Sequence, residues 1–270
     1  MASVNETKTK KEPATAQITV SDGALIPDRG EGSIFSAWNI SFFGALGLVV
    51  LLPVISPEPY LEVIRFVPDG IVKTFQVTLI SILFALVIGL ITGLGRISRV
   101  VFVNRLATVY VEVIRGIPLL VQLFYIYFAL GRFLSIDRLV AAILAMSICY
   151  GAYMGEIFRA GIQSIPKGQM EAALALGMSR RQALRLVILP QTMRTILPPI
   201  GNEFIALLKD SSLVSIVAVS DLLRRGREYA STTFFYFETY TMVALLYLVI
   251  TLFFSKVVAI MEERLEHGGR

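Results

Sequence analysis

The sequence predicts an all-α membrane protein with six spanning helices, and three observations carry that expectation. Hydrophobic residues make up 55% of the 270-residue chain against 17% charged, and the mean hydropathy is +0.71, a balance too apolar for a water-soluble domain. The apolar residues fall largely in uncharged runs of 17–22 residues, the length at which a helix rising ~1.5 Å per residue crosses a ~30 Å hydrocarbon layer. Basic residues gather in the short stretches between the runs, as they do in loops facing cytoplasm.

Residues 1–33 carry Lys8, Lys10, Lys11, several acids, Pro13 and Pro27. Their apolar surface is too small to offset the entropy of ordering, so they read as a disordered cytoplasmic lead. Residues 34–55 are uncharged and form the first span, longer than the ~7–15-residue core of a signal peptide. The second span, residues 74–95, is entered through Pro68, Asp69 and Gly70 and left through Arg96, Arg99 and Arg105. Residues 106–130, apolar apart from Glu112 and Arg115, give a third, and residues 139–155 and 239–255 two more. Residues 195–220 are interrupted by Pro198, Pro199, Glu203, Lys209 and Asp210, and a hydropathy window alone passes over them.

Six spans put both termini on one side. The loop with Arg96, Arg99 and Arg105 shares a face with the loop holding Lys167, Arg180, Arg181, Arg185 and Arg194, which makes that face, and both termini, cytoplasmic. Arg224, Arg225 and Arg227 fall outside and oppose the rule.

Composition also excludes functions. A single cysteine, Cys149, forbids an internal disulfide and any Cys-based zinc site, and a single histidine, His267 near the chain end, argues against histidine catalysis. No GxxxxGK[ST] loop is present to cradle a nucleotide's phosphates, so neither a cofactor nor an ATPase activity is expected of this chain. The net charge of +5 lacks the basic stripe interleaved with aromatics that single-stranded nucleic acid requires. No internal repeat supports an inverted-repeat carrier.

Between the fourth and fifth spans lies KGQMEAALALGMSRRQALRLVILPQ, residues 167–191. Glu171, Ala172, Ala173, Ala175 and Leu176 are good helix formers, and Gly177 suits the left-handed position that ends a helix. Ser179 can cap the next helix, and Pro190 marks where the chain turns back to the membrane. Read by composition alone, the segment is equally an amphipathic connector with Arg180, Arg181 and Arg185 on lipid phosphates.

Here the sequence resembles a family. The segment is similar to the EAA loop of ABC importer permeases, with Glu171, Ala172, Ala173, Gly177, Leu189 and Pro190 in register and Val187 where isoleucine is usual. VEVIRGIPLLVQLFYIYFALG (residues 111–131), EIFRAGIQSIPKGQ (156–169) and LPPIGNEFIALLKDSSL (197–213) resemble the permeases of polar amino acid importers. The likeness covers residues 70–264. It implies a type I importer transmembrane domain, a family core of five helices plus one extra N-terminal helix over residues 34–55. It also implies a helix at residues 171–177 that seats on an ATPase subunit.

Ionisable groups inside a bilayer need partners or a wet cavity. Glu112 with Arg115, and Glu156 with Arg159, are spaced to pair along one helix face. Lys209 and Asp210 are neighbours, point about 100° apart on a helix, and so cannot both face one way. With Ser211, Ser212 and the helix-loosening Pro198 and Pro199 they form a polar patch suited to the ammonium and carboxylate of an amino acid. Glu156, Thr74 and Gln76 complete the expected substrate pathway; Glu156 and Asp210 read equally as bundle hydrogen bonding, and Thr74 and Gln76 read more readily so.

The expectation is therefore a non-catalytic permease subunit of an inner-membrane importer of polar amino acids. Its expected partners are a second permease chain (a copy or a relative), two ATPase subunits, an extracytoplasmic binding protein, the amino acid and the lipid bilayer. The cluster at Arg224, Arg225 and Arg227 offers a surface for that binding protein, and equally reads as arginines snorkelling to lipid or solvent. The rival is a stand-alone carrier powered by ions through Glu156 and Asp210.

Overall fold

The computed structural model describes residues 36–267, with side chains as far as Leu265. The lead expected over residues 1–33, and the first two residues of the first expected span, lie outside that range. The chain divides into a leading unit, Met1–Ile40, and a main unit, Ser41–Arg270. In the leading unit the Ser36 hydroxyl accepts the Asn39 N–H at 3.2 Å and the Ser36 carbonyl accepts the Ile40 N–H, which opens the first helix.

Among the described residues every regular element is helical. In chain order they are α1 (Ala37–Ile55), α2 (Pro57–Phe66), α3 (Pro68–Arg96), α4 (Val101–Gly116), α5 (Leu119–Phe124) and, after a π turn, α6 (Gly131–Leu134). Then follow α7 (Arg138–Gln163), α8 (Lys167–Ala175), α9 (Arg180–Ala183), α10 (Leu189–Asp210), α11 (Leu222–Thr233) and α12 (Tyr236–His267). Helices α1, α3, α7 and α12 are long and apolar enough to cross a membrane.

Two expected spans differ. Residues 106–130 are not one straight helix: α4 and the α5–α6 run meet at 101°, a fifth crossing only if the bent pair is taken together. Pro118 lacks the N–H that would continue α4, so Ile117 leaves helical geometry with ψ 128° and the chain turns there. The region 195–220 belongs to α10, which starts earlier at Leu189 and ends in a 3-10 turn over Ser211–Val217.

Helices α3 and α7 form the centre of the bundle. Gly89 and Gly93 on α3 face Gly151 and Gly155 on α7, each pair spaced by four so that one helix face is stripped of side chains and the backbones approach. A β-carbon on Gly93 would stand 2.7 Å from that of Phe158 and 2.9 Å from the Gly155 carbonyl oxygen. Around this contact Val77, Ala85, Met146 and Met154 build the main core. A second core of Val63, Leu222, Tyr229 and Met242 lies under α2, α11 and α12.

At that end α11 is fastened from several sides. Asp221 caps it, accepting the N–H groups of Leu223 and Arg224, and Tyr247 donates its hydroxyl to the same carboxylate at 3.3 Å. Burial pushes the Asp221 carboxyl up to about 6. Arg225 lies 4.0 Å over the Phe66 ring and pairs with Asp69 and Glu228, while Arg224 pairs with Glu228 at 2.8 Å. Of the three arginines expected to form an exposed basic cluster, two are thus neutralised inside the fold and only Arg227 is exposed. The sequence expectation counted cations and passed over Glu228, one turn along the same helix, and Asp69, which folding brings to Arg225.

Candidate functional site

Two features carry chemistry, a surface helix at one end of α10 and a charged cavity at the other. Helix α8 is short because Gly177 stops it with φ +83°, a conformation open to glycine at little cost. Gly177 N–H returns to the Leu174 carbonyl and Met178 N–H to that of Ala173, the reciprocal pattern that satisfies a helix's last carbonyls. Ser179 then starts α9 with a capping box, its hydroxyl accepting the Gln182 N–H while the Gln182 side chain accepts the Ser179 N–H. Ala173 is buried against this second helix, whereas Glu171, Ala172 and Leu174 are exposed and Leu176 is 81% exposed.

Pro190 does not turn the chain, as the sequence suggested. It has no N–H for the Leu186 carbonyl, and the helix absorbs the loss in a π turn over Leu184–Ile188 and continues. From Arg180 to Asp210 the chain is thus helical throughout, with Leu189 and Pro190 just beyond the π turn. Gln191 ties α8 to this helix by donating to Gln169 at 3.4 Å.

At the other end of α10 a cavity of about 420 Å³ is lined by Arg115, Tyr150, Tyr153, Glu203 and Asp210, with Gly116–Leu119 and Cys149 completing one wall. Glu203 and Asp210 are seven residues apart, two helical turns, and so share one face of α10. Tyr150 donates its hydroxyl to Asp210 at 2.8 Å. Arg115 sits 5.2 Å over the Tyr153 ring, where the cation meets the negative face of the π system. The cavity therefore offers one guanidinium, two carboxylates and aromatic walls. A cleft of the same volume between α10 and α12, at Arg194, Pro198 and Glu262, gathers no group from α4 or α7.

Of the expected pathway residues, Asp210 lines this cavity. Lys209 is exposed on another face of α10, consistent with the angular separation of neighbours. Ser211 is buried and donates to the Leu208 carbonyl, and Ser212 is half-buried in the same 3-10 turn. Glu156 is held by Arg96 at the end of α3 and by Arg159 one turn along α7, away from the cavity lining. Thr74 accepts the Leu222 N–H at 3.1 Å and so fastens α11, and Gln76 accepts from Lys73 at 2.9 Å. The expected Glu112–Arg115 pair is replaced: Glu112 is 71% exposed with Arg96 at 3.9 Å, while Arg115 turns into the cavity. Sequence reasoning did not gather Arg115, Tyr150, Tyr153 and Glu203 to the site. The seven-residue spacing of Glu203 and Asp210 was the available signal.

Comparison with known proteins follows this geometry. Residues 85–267 match the family described as the binding-protein-dependent transport system inner membrane component. The glutamine transport system permease protein GlnP of Escherichia coli K12 is 41% identical over 201 residues, 73% of this chain and 92% of that protein. The L-cystine transport system permease protein TcyB of Bacillus subtilis is 40% identical over 73% of this chain and 85% of its own length, and the arginine permease ArtQ of the same organism 35% over 75% and 94%. Among solved structures, an amino acid ABC transporter crystallised with histidines matches at 40% identity with a TM-score of 0.72, covering 76% of this chain and 96% of that one. The inward-facing MetNI methionine transporter, 22% identical with TM-score 0.59 over 73% and 97%, shares the fold. The helical bundle, its match over most of the chain and these relatives lead to one conclusion: the protein belongs to the family of binding-protein-dependent transport system inner membrane components, the non-catalytic, membrane-spanning permease subunits of ABC importers.

Proposed function

We propose that this chain carries polar amino acids inward as one half of a permease pair, driven by two partner ATPase subunits and supplied by an extracytoplasmic binding protein. The second half is a copy of this chain or a related one, and both termini face the cytoplasm. The relatives named for glutamine, cystine and arginine transport support the substrate class. The observation that carries the reading is the cavity, in which Arg115 faces Glu203 and Asp210. A guanidinium suits an α-carboxylate by paired hydrogen bonds, and carboxylates suit an α-ammonium. The α8 knob, with Glu171 and Ala172 exposed and Ala173 packed beneath them ahead of Gly177, is the contact with the ATPase, and Leu189 and Pro190 begin the helix that leads from it to the cavity. Glu156, Thr74, Gln76, Lys209, Ser211 and Ser212 then serve the surrounding bundle.

Uptake into liposomes holding the assembled importer tests this. Labelled L-glutamine, L-arginine and L-cystine would be offered with the binding protein outside and ATP inside. At least one should accumulate, strictly with ATP, and Arg115→Gln should abolish accumulation while leaving assembly intact. Uptake without ATPase subunits, driven by a proton or sodium gradient, would overturn the proposal in favour of an ion-coupled carrier.

A further inference from the structure

The α4–α5 break leaves backbone groups to be satisfied. Pro118 has no N–H to give the Ile114 carbonyl, which receives only a long 3.4 Å bond from Ile117. The Ile117 carbonyl would accept from Val121 in a continuing helix, but Val121 N–H bonds Pro118 at 3.0 Å instead. Two carbonyls therefore face the inside of the bend without a full helical partner. Carbonyls in that condition are strongly disfavoured within a membrane.

One side chain answers both. Gln122 Nε2 donates to the Ile114 carbonyl and to the Ile117 carbonyl, each at 2.8 Å, and lies 3.7 Å from the Cys149 sulfur. The residue is 6% exposed, and its Oε1 is buried with no partner among the described residues. The bend uses the amide's two hydrogens and leaves its oxygen idle. A leucine of similar size would supply neither donor. A glutamate would present only acceptors to two acceptors.

The wall held in this way is the wall of the cavity. Gly116, Ile117, Pro118 and Leu119 line it, as does Cys149, and Arg115 stands one residue before Gly116 at the end of α4. We infer that Gln122 is a positioning residue for Arg115: it pins the bend that aims the guanidinium into the cavity and so sets recognition of the ligand's carboxylate. This rests on the amino-acid reading of the cavity. Gln122 itself lies behind that wall, beside Ile114, Val121 and Ile148.

The test is equilibrium binding to the assembled permease–ATPase complex in nanodiscs, without the binding protein. The probes are whichever of L-glutamine, L-arginine and L-cystine binds best and its counterpart lacking the α-carboxylates. Gln122→Leu should weaken the amino acid at least tenfold and move the carboxylate-free counterpart less than twofold. Arg115→Gln should do the same, and the double variant should be no weaker than Arg115→Gln alone, because one residue acts through the other. Equal weakening of both probes, a double variant in which the two losses multiply, or amino-acid binding within twofold of the parent would overturn the inference. If Arg115→Gln alone leaves binding unchanged, it is the cavity reading that fails. Should Gln122→Leu not yield folded protein, Gln122→Asn keeps both donors one methylene short and must show the same selective loss in smaller measure.

Discussion

Replacing Gly93 by alanine should loosen the centre of the bundle by a predictable amount. The added carbon would stand 2.7 Å from the Phe158 β-carbon and 2.9 Å from the Gly155 carbonyl oxygen, and neither can swing away by changing a rotamer. Reaching a relaxed ~3.5–4.0 Å carbon contact requires α3 and α7 to part by about 1 Å at this level. Overpacking of that kind costs roughly 1–3 kcal/mol. The gain of ~0.5–1 kcal/mol from alanine over glycine in a helix offsets part of it. The net loss, up to about 2.5 kcal/mol, corresponds to a melting temperature as much as ~10 °C lower at ~2–4 °C per kcal/mol. Gly44 in α1 provides the control, since among the described residues nothing beyond its own helix backbone lies within 4 Å of its β-position, and Gly44→Ala should melt at or slightly above the parent. Thermal loss of the monodisperse peak in one detergent would measure all three proteins. A Gly93→Ala melt matching that of Gly44→Ala would show that the α3–α7 approach is not tight and that the packing argument is wrong.

Two further outcomes follow from other parts of the fold. Gly177→Val forces a β-branched residue to φ +83° at the end of α8, a conformation disfavoured by roughly 1–2 kcal/mol for residues with a β-carbon. In the reconstituted importer uptake should fall severalfold while basal ATP hydrolysis persists, and unchanged uptake would remove α8 from the coupling path. Asp221 has its carboxyl raised from 3.8 to about 6 by burial, so the stability its neutral form contributes is complete below about pH 4 and lost as pH rises to about 6. The difference is on the order of 3 kcal/mol. Asp221→Asn keeps a capping oxygen without the charge, so its melting temperature relative to the parent should climb from pH 4 to pH 6 and then level off. A difference constant across that range would refute the burial argument.

What the sequence made legible was local. Gly177, Ser179 and the alanines ahead of them act through their own backbone neighbours, and each takes the helical or capping place its chemistry suggested. The 101° turn at Pro118 was not legible, because it is held by Gln122 reaching back five and eight residues to the freed carbonyls. Arg115 shows the limit most plainly. At i to i+3 from Glu112 it has a ready partner by spacing, yet the turn carries it toward Tyr153 and the carboxylates of α10 instead. The same holds for Arg225 and Asp69, which meet only once α3 and α11 have packed, whereas Glu228 stands at i+4 from Arg224 and i+3 from Arg225, a spacing the sequence does record. Long-range pairing is decided by the fold, and charge spacing along the chain does not record it.

The cavity's charges belong to two different mechanical parts. Glu203 and Asp210 ride on α10, the helix that continues from α9, and Asp210 lies 30 residues from Arg180, about 45 Å at ~1.5 Å per residue if straight. Arg115 belongs to α4 and is anchored by the Gln122 bend, with no helix joining it to α8. On the proposed reading, a displacement of α8 by the ATPase therefore moves the carboxylates relative to the guanidinium and changes the span between the two halves of the cradle. An amino acid holds its ammonium and carboxylate at a fixed separation, so only one arrangement grips both. That difference in affinity is what a transporter must have, since a ligand held equally well in two states cannot be picked up in one and released in the other.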